Sequence, residues 1–224
     1  MKMFTVLEIT TSGPGGLTRA ISQQAGRVEG MVDHAIEALL GPGSGPEMAI
    51  LDQLATATAM ESRIDQAVHV ETAEGKIELW EATAILQVNR DLARMRDMTA
   101  ELARRLAEQP EKRPSAEGKA ELQPLAIAVS HLAKKTLRAL ARRDLLLAAN
   151  AKSEKSRVDA YVGYVTDREG GPKAASVAAE TNDLLFAVGF LERIADQSMT
   201  MARSLIAWLG DREGDDPIVI HMAV

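Results

Sequence analysis

The chain has 224 residues, of which 46% are apolar, so it is long enough to bury a core and too apolar to be disordered throughout. Aromatic residues make up only 3%, and a composition led by Ala and Leu with many Glu and Arg favours helices over sheets. The net charge of −6 excludes a general basic field for nucleic acid, and the absence of cysteine excludes disulfides and thiolate metal sites.

Three helices are predicted in the first half of the chain. Gly and Pro between residues 12 and 16 precede a helical pattern over 17–40, and a second Gly/Pro cluster over 41–46 ends it. Apolar residues at helical spacing then predict a helix over 47–70 and another over 76–108.

The second half is less clearly divided. Residues 109–119 contain two prolines and few apolar residues, and are predicted to be a linker. The stretch 122–165 fits either one very long helix or two helices joined by a turn. Gly and Pro over 170–172 precede a last predicted helix over 173–209, with Gly210 as a candidate C-cap.

An internal repeat resolves that ambiguity. The segment beginning at Leu92 aligns with the one beginning at Leu191, and Ser62 aligns with Ser156, at shifts of 99 and 94 residues. The break at 41–46 then falls opposite 142–144, which predicts a tight turn there with Asp144 as N-cap. The predicted fold is all-α, with two tandem three-helix bundles over 17–108 and 120–209.

The two ends differ from the helical regions. Residues 3–9 and 217–224, within the terminal segments 1–16 and 210–224, are rich in β-branched residues. Either they form short strands that pair with each other or across a dimer, or they are frayed tails. The N-terminus is too polar for a secretory signal, and no stretch approaches the length of a membrane span, so a cytoplasmic location is expected.

The segment 184–197 resembles the third-helix signature of the PhoU family, which carries a Leu-Glu-Arg-Ile-Gly-Asp-His core. Here Ala195 replaces the glycine and Gln197 replaces the histidine, and residues 91–97 form a weaker copy. The resemblance covers about 17–209. It implies paired three-helix bundles that often dimerise and act in the cytoplasm on phosphate transport and signalling.

The resemblance also implies metal clusters held by Glu/Asp-x-x-x-Asp motifs. Each unit keeps one intact motif and has lost the first position of the other: Ala93 and Lys155 stand at the lost positions. The six remaining carboxylates are candidate ligands for a divalent or iron-type metal: Glu61, Asp65 and Asp97 in the first unit, and Asp159, Glu192 and Asp196 in the second.

Two interpretations of these carboxylates remain. In one, the first unit holds a reduced metal site with three ligands. In the other, Lys155 and nearby arginines neutralise the carboxylates and no metal binds, with Lys155 pairing with Glu192 or Asp196. The four histidines form no His-Glu-x-x-His or Glu-x-x-His pattern, which argues against zinc proteases and ferritin-like di-iron sites.

The predicted function is therefore regulation by binding rather than enzymatic catalysis. The resemblance implies a phosphate transporter or an associated sensor kinase as the partner, and a homodimer. The alternatives are a homodimeric scaffold that has lost metal binding and a carboxylate-bridged metal enzyme, the latter disfavoured by the incomplete motifs.

Overall fold

The computed structural model describes residues 15–41, 45–169 and 178–210, apart from the side chains of 168–169 and 178–181. The terminal segments 3–9 and 217–224, for which strands were predicted, lie outside this range. In chain order the α-helices are α1 (Gly16–Leu40), α2 (Gly45–Ala73), α3 (Leu79–Glu108), α4 (Ala116–Arg142), α5 (Leu145–Ala149), α6 (Ala151–Glu169) and α7 (Ala178–Gly210).

The helices form a single layered bundle. Helices α1, α3, α4 and α7 lie at its centre, since α1 packs on α3 and α4 while α7 packs on α3 and α4. Helix α2 covers α1 and α3, and α6 covers α4 and α7. The all-α architecture with six long helices in two repeated sets of three confirms the predicted fold class. The exact domain boundaries stay a prediction.

The core is aliphatic, as the composition predicts. Its largest fully buried side chains are mostly Leu, Met and Ile, with Trp208 of α7 as the main aromatic member. Leu92, Met95, Leu102 and Leu106 recur on one face of α3 and are each at most 1% exposed. This stripe is what fixes the rotation of α3, and with it the direction of the polar side chains next to it.

The helix ends explain where the sequence predictions differ from the structure. Helix α3 begins at Leu79 rather than near residue 76, because Gly75 adopts a φ of +68° and turns the chain first. Helix α4 begins at Ala116, inside the predicted linker and earlier than residue 122, because the Ser115 hydroxyl accepts a hydrogen bond from the Gly118 amide at 3.2 Å.

The turn predicted over 142–144 is confirmed. Arg143 has a φ of +54° and ends α4, and Asp144 then caps α5 by accepting from the Leu147 amide at 2.8 Å. An L-residue in this left-handed conformation costs about 1 kcal/mol. The Arg143 guanidinium lies 4.6 Å from the ring centroid of Trp208, and this contact offsets part of that cost.

Candidate functional site

Glu61, Asp65, Asp97 and Arg96 form a first cluster between α2 and α3. Glu61 and Asp65 lie one turn apart on α2, and Asp97 faces them from α3. Arg96 donates to Glu61 Oε2 at 2.6 Å, and its other nitrogens lie 2.7 and 2.8 Å from Asp97 Oδ1. Asn89 donates to Asp65 Oδ1 at 2.8 Å. The structure therefore brings two of the three predicted ligands of the first unit, Glu61 and Asp97, onto one side-chain cation, while Asn89 holds the third, Asp65.

Arg96 is held as a permanent positive charge within this first cluster. Its side chain is only 6% exposed, although Glu61 is 27% and Asp97 is 63% exposed. Burial lowers the pKa of Arg96, but the hydrogen bonds that it donates to Glu61 and Asp97 more than offset this, so its pKa lies above the ordinary value. The sequence motif missed this residue because Arg96 is outside the four-residue carboxylate spacing.

Asp159, Glu192, Asp196 and Lys155 form a second cluster between α6 and α7. The Lys155 ammonium makes a short hydrogen bond to Asp159 and lies 3.0 Å from Asp196 Oδ1. The predicted pairing of Lys155 with Asp196 is confirmed. Glu192 lies one turn before Asp196 on α7, and within the described part of the chain it has no ion pair.

The Lys155 ammonium stays charged for the same reason as Arg96. Burial lowers the pKa of Lys155, and the hydrogen bonds to Asp159 and Asp196 raise it further than burial lowers it. Within the repeat, Lys155 stands opposite Glu61 and Arg96 stands opposite Ala195. The two clusters therefore receive their cations from different helices, the third helix in the first unit and the second helix in the second.

Neither cluster fits a metal ion as it is arranged. A metal needs free carboxylate oxygens that converge on one point. Here Arg96 and Lys155 lie where such oxygens would converge, and a metal would have to displace a cation first. Over residues 15–41, 45–169 and 178–210, no group of three His, Asp or Glu side chains is placed to hold a metal.

A buried carboxylate that the motifs did not indicate joins the two units. Asp91 of α3 is fully buried, and its Oδ1 accepts from Gln87 at 3.1 Å and from Gln197 of α7 at 3.2 Å. Its Oδ2 accepts from the Ser204 hydroxyl at 2.8 Å, and the exposed Arg94 guanidinium lies 3.6 Å from Oδ1. Gln197, at the position of the signature histidine, thus acts as a hydrogen-bond donor between α3 and α7.

Known proteins resemble this chain in structure rather than in sequence. No protein-family model matches the sequence, and no curated protein matches it significantly. PhoU from Pseudomonas aeruginosa superimposes with a TM-score of 0.72 at 23% identity, covering 86% of this chain and 95% of that one. The phosphate transport system regulatory protein PhoU from Streptococcus pneumoniae gives 0.72 at 18% identity, covering 90% and 95%.

No helix within the described ranges combines the length and the apolar character that a membrane crossing requires. Both solved structures superimpose on most of this chain with a TM-score of 0.72. This chain has the PhoU fold.

Proposed function

We propose that this protein is a cytoplasmic regulator of phosphate uptake or phosphate signalling that acts by binding other proteins. The observation that carries the proposal is the PhoU fold over most of the chain, because a neighbour with that fold is a phosphate transport system regulatory protein. The partner that this similarity of fold favours is a phosphate transporter or an associated sensor kinase.

In this proposal the carboxylate clusters stabilise the helical bundle and take no part in catalysis. Arg96 and Lys155 each form ion pairs with carboxylates on two neighbouring helices. Each cluster therefore already contains the cation that neutralises its carboxylates. This supports a structural role for the two clusters, since Arg96 and Lys155 occupy them and no open metal position is found among the described residues. We further propose that binding to the partner is independent of added metal.

A genetic experiment tests the regulatory role. Disruption of the gene in its native host should raise phosphate uptake in phosphate-replete medium, and the wild-type gene supplied in trans should restore it. Uptake that is unchanged by the disruption in both replete and starved cells would overturn the proposal.

The alternative is a homodimeric scaffold that has lost metal binding. The two clusters closed by Arg96 and Lys155 favour it over a metal-dependent protein. Sedimentation at micromolar concentration tests the scaffold: a monomer would overturn it, because a scaffold of this kind requires a stable dimer and no phosphate-dependent partner. The regulator requires a phosphate-dependent partner whether or not it dimerises.

A further inference from the structure

Helix α4 has a long outer face that no other described helix covers. It packs on α1, α5, α6 and α7, and exposed residues recur at helical spacing along its outer face. They include Ala120, Gln123, Pro124, Ile127, His131, Arg138 and Arg142. This face and the neighbouring helices α6 and α5 border two hollows that follow one another along α4, here together called the α4 groove. From Ala120 to Arg142 this part of α4 is about 33 Å long.

One half of the α4 groove is apolar. It contains a hollow of about 280 Å³ whose lining is mainly apolar, with two polar members, Gln123 and Arg157. The apolar lining is Ala120, Pro124, Ile127 and Ala128 of α4 and Tyr161 of α6. Ile127 is 48% exposed, and Tyr164 lies one turn beyond Tyr161 and is 61% exposed. Single exposed apolar side chains are ordinary on a protein surface, but Pro124, Ile127 and Tyr161 line the same hollow.

The other half of the α4 groove is basic. Its hollow of about 490 Å³ is lined by four cations of α4, namely Lys134, Lys135, Arg138 and Arg142. Three of them already contact acids on the rim: Lys134 contacts Asp33 at 2.9 Å, Lys135 contacts Glu154 at 2.7 Å and Arg138 contacts Glu29 at 3.1 Å.

Arg142 completes this basic half. It is exposed and has no ion pair in the described part of the chain. Four cations against three acids leave an excess of positive charge here, in a chain whose net charge is −6. The basic half therefore offers a complementary surface to carboxylates.

We propose that the α4 groove binds an amphipathic helix of a partner protein, one with apolar residues at one end and acidic residues at the other. The proposal rests on the proposed function and names the chemistry of its partner. The groove has the length of about six helical turns. Helix-in-groove recognition uses apolar anchors in a hollow, and charge at the rim fixes the direction of the bound helix.

A designed peptide tests the chemistry of the α4 groove. The probe is a labelled helical peptide of about 20 residues with leucines in one half and glutamates in the other, followed by fluorescence anisotropy. It should bind the wild type, and Ile127→Asp and the double variant Arg138→Glu/Arg142→Glu should each weaken binding about tenfold. Added salt should weaken binding of the wild type.

Matched controls separate the groove from general attraction of charge. The double variant Arg90→Glu/Arg104→Glu makes the same charge change on exposed positions of α3 and should bind the peptide like the wild type. A peptide with the same composition but interspersed leucines and glutamates should bind more weakly. Equal binding by the groove variants and the α3 control, with melting temperatures unchanged, would overturn the proposal.

A photo-crosslinker at position 127 identifies the occupant in phosphate-replete cells. The expected product is a protein segment that is helical, apolar at one end and acidic at the other. Capture of anionic phospholipid alone would overturn the proposal.

If a transporter or kinase binds the groove variants as well as the wild type, the groove proposal fails while the regulatory function stands. If the wild type recovers no such partner, the proposed function fails, and the peptide result still decides on the groove.

Discussion

The Arg96 guanidinium donates a hydrogen bond of 2.6 Å to Glu61 across the interface between α2 and α3. The same guanidinium reaches Asp97, so one buried cation holds two carboxylates that would otherwise repel each other. The first cluster therefore needs no external cation to be stable. This relationship makes the role of Arg96 measurable.

Replacement of Arg96 by Met should destabilise the protein by about 2 kcal/mol, because it leaves Glu61 half-buried without its cation. The double variant Arg96→Met/Glu61→Gln should recover part of that loss, since it removes the unpaired charge as well. Denaturant unfolding measures both. As a control, Arg104→Met on the exposed face of α3 should change stability by less than about 0.5 kcal/mol. If Arg96→Met lowers the free energy of unfolding by less than about 0.5 kcal/mol, the account is contradicted.

Replacement of Lys155 by Glu should create a metal site in the second cluster. It removes the ammonium between Asp159 and Asp196 and adds a fourth carboxylate to Asp159, Glu192 and Asp196. Titration calorimetry with Mn²⁺ should show one site in this variant and none in the wild type. Excess Mn²⁺ at about 100 times the dissociation constant should stabilise the variant by about 2.7 kcal/mol.

Lys155→Met is the matched control, since it removes the cation and adds no ligand. It should bind Mn²⁺ more weakly than Lys155→Glu. Mn²⁺ binding by the wild type as tight as by the Glu variant would show that Lys155 does not occupy the position of a metal.

Replacement of Asp91 by Ala should cost about 2–3 kcal/mol, because Gln87, Gln197 and Ser204 then lose a buried acceptor. Gln197→Leu should cost less, since Asp91 keeps its other donors. Thermal unfolding followed by circular dichroism checks both against Asp52→Ala on the exposed side of α2. If Asp91→Ala melts like Asp52→Ala, then Asp91 does not join the two units.

The ion pair of Glu154 with Lys135 predicts a loss of stability in acid. The hydrogen bond from Lys135 holds the pKa of Glu154 below its ordinary value, and burial opposes this only in part. A lowered folded pKa contributes stability above the unfolded value of about 4.3, and this contribution is lost as the pH falls through the folded pKa. The wild type should therefore be more stable than Glu154→Gln at pH 7, and the difference should disappear below pH about 3. A difference that is constant between pH 7 and pH 3 would contradict this.

Most of the fold prediction rests on the internal repeat of the sequence. It placed the turn at 142–144 where no Gly or Pro marks it, because the second unit must repeat the helix lengths of the first. The sequence did not show that Arg143 adopts a left-handed φ, nor that its guanidinium lies over Trp208 across the bundle. Tertiary contacts of this kind are invisible to local propensity.

The candidate site was predicted only in part. The motifs located the carboxylates, and the Lys155 pair with Asp196 followed from the lost motif position. Arg96 was missed, although it lies four residues after Leu92 on the buried face of α3, where a charged residue is rare. A charged residue in an apolar stripe was the available signal for both Arg96 and Asp91.

The central claim is that this chain binds a component of phosphate transport or signalling in response to phosphate. The most direct test is recovery of proteins with the tagged chain from solubilised membranes of phosphate-starved and phosphate-replete cells, with and without a metal chelator. The account predicts that a transporter subunit or sensor kinase is recovered in a phosphate-dependent manner and that the chelator changes nothing. Recovery of the chain alone under both conditions would contradict the account.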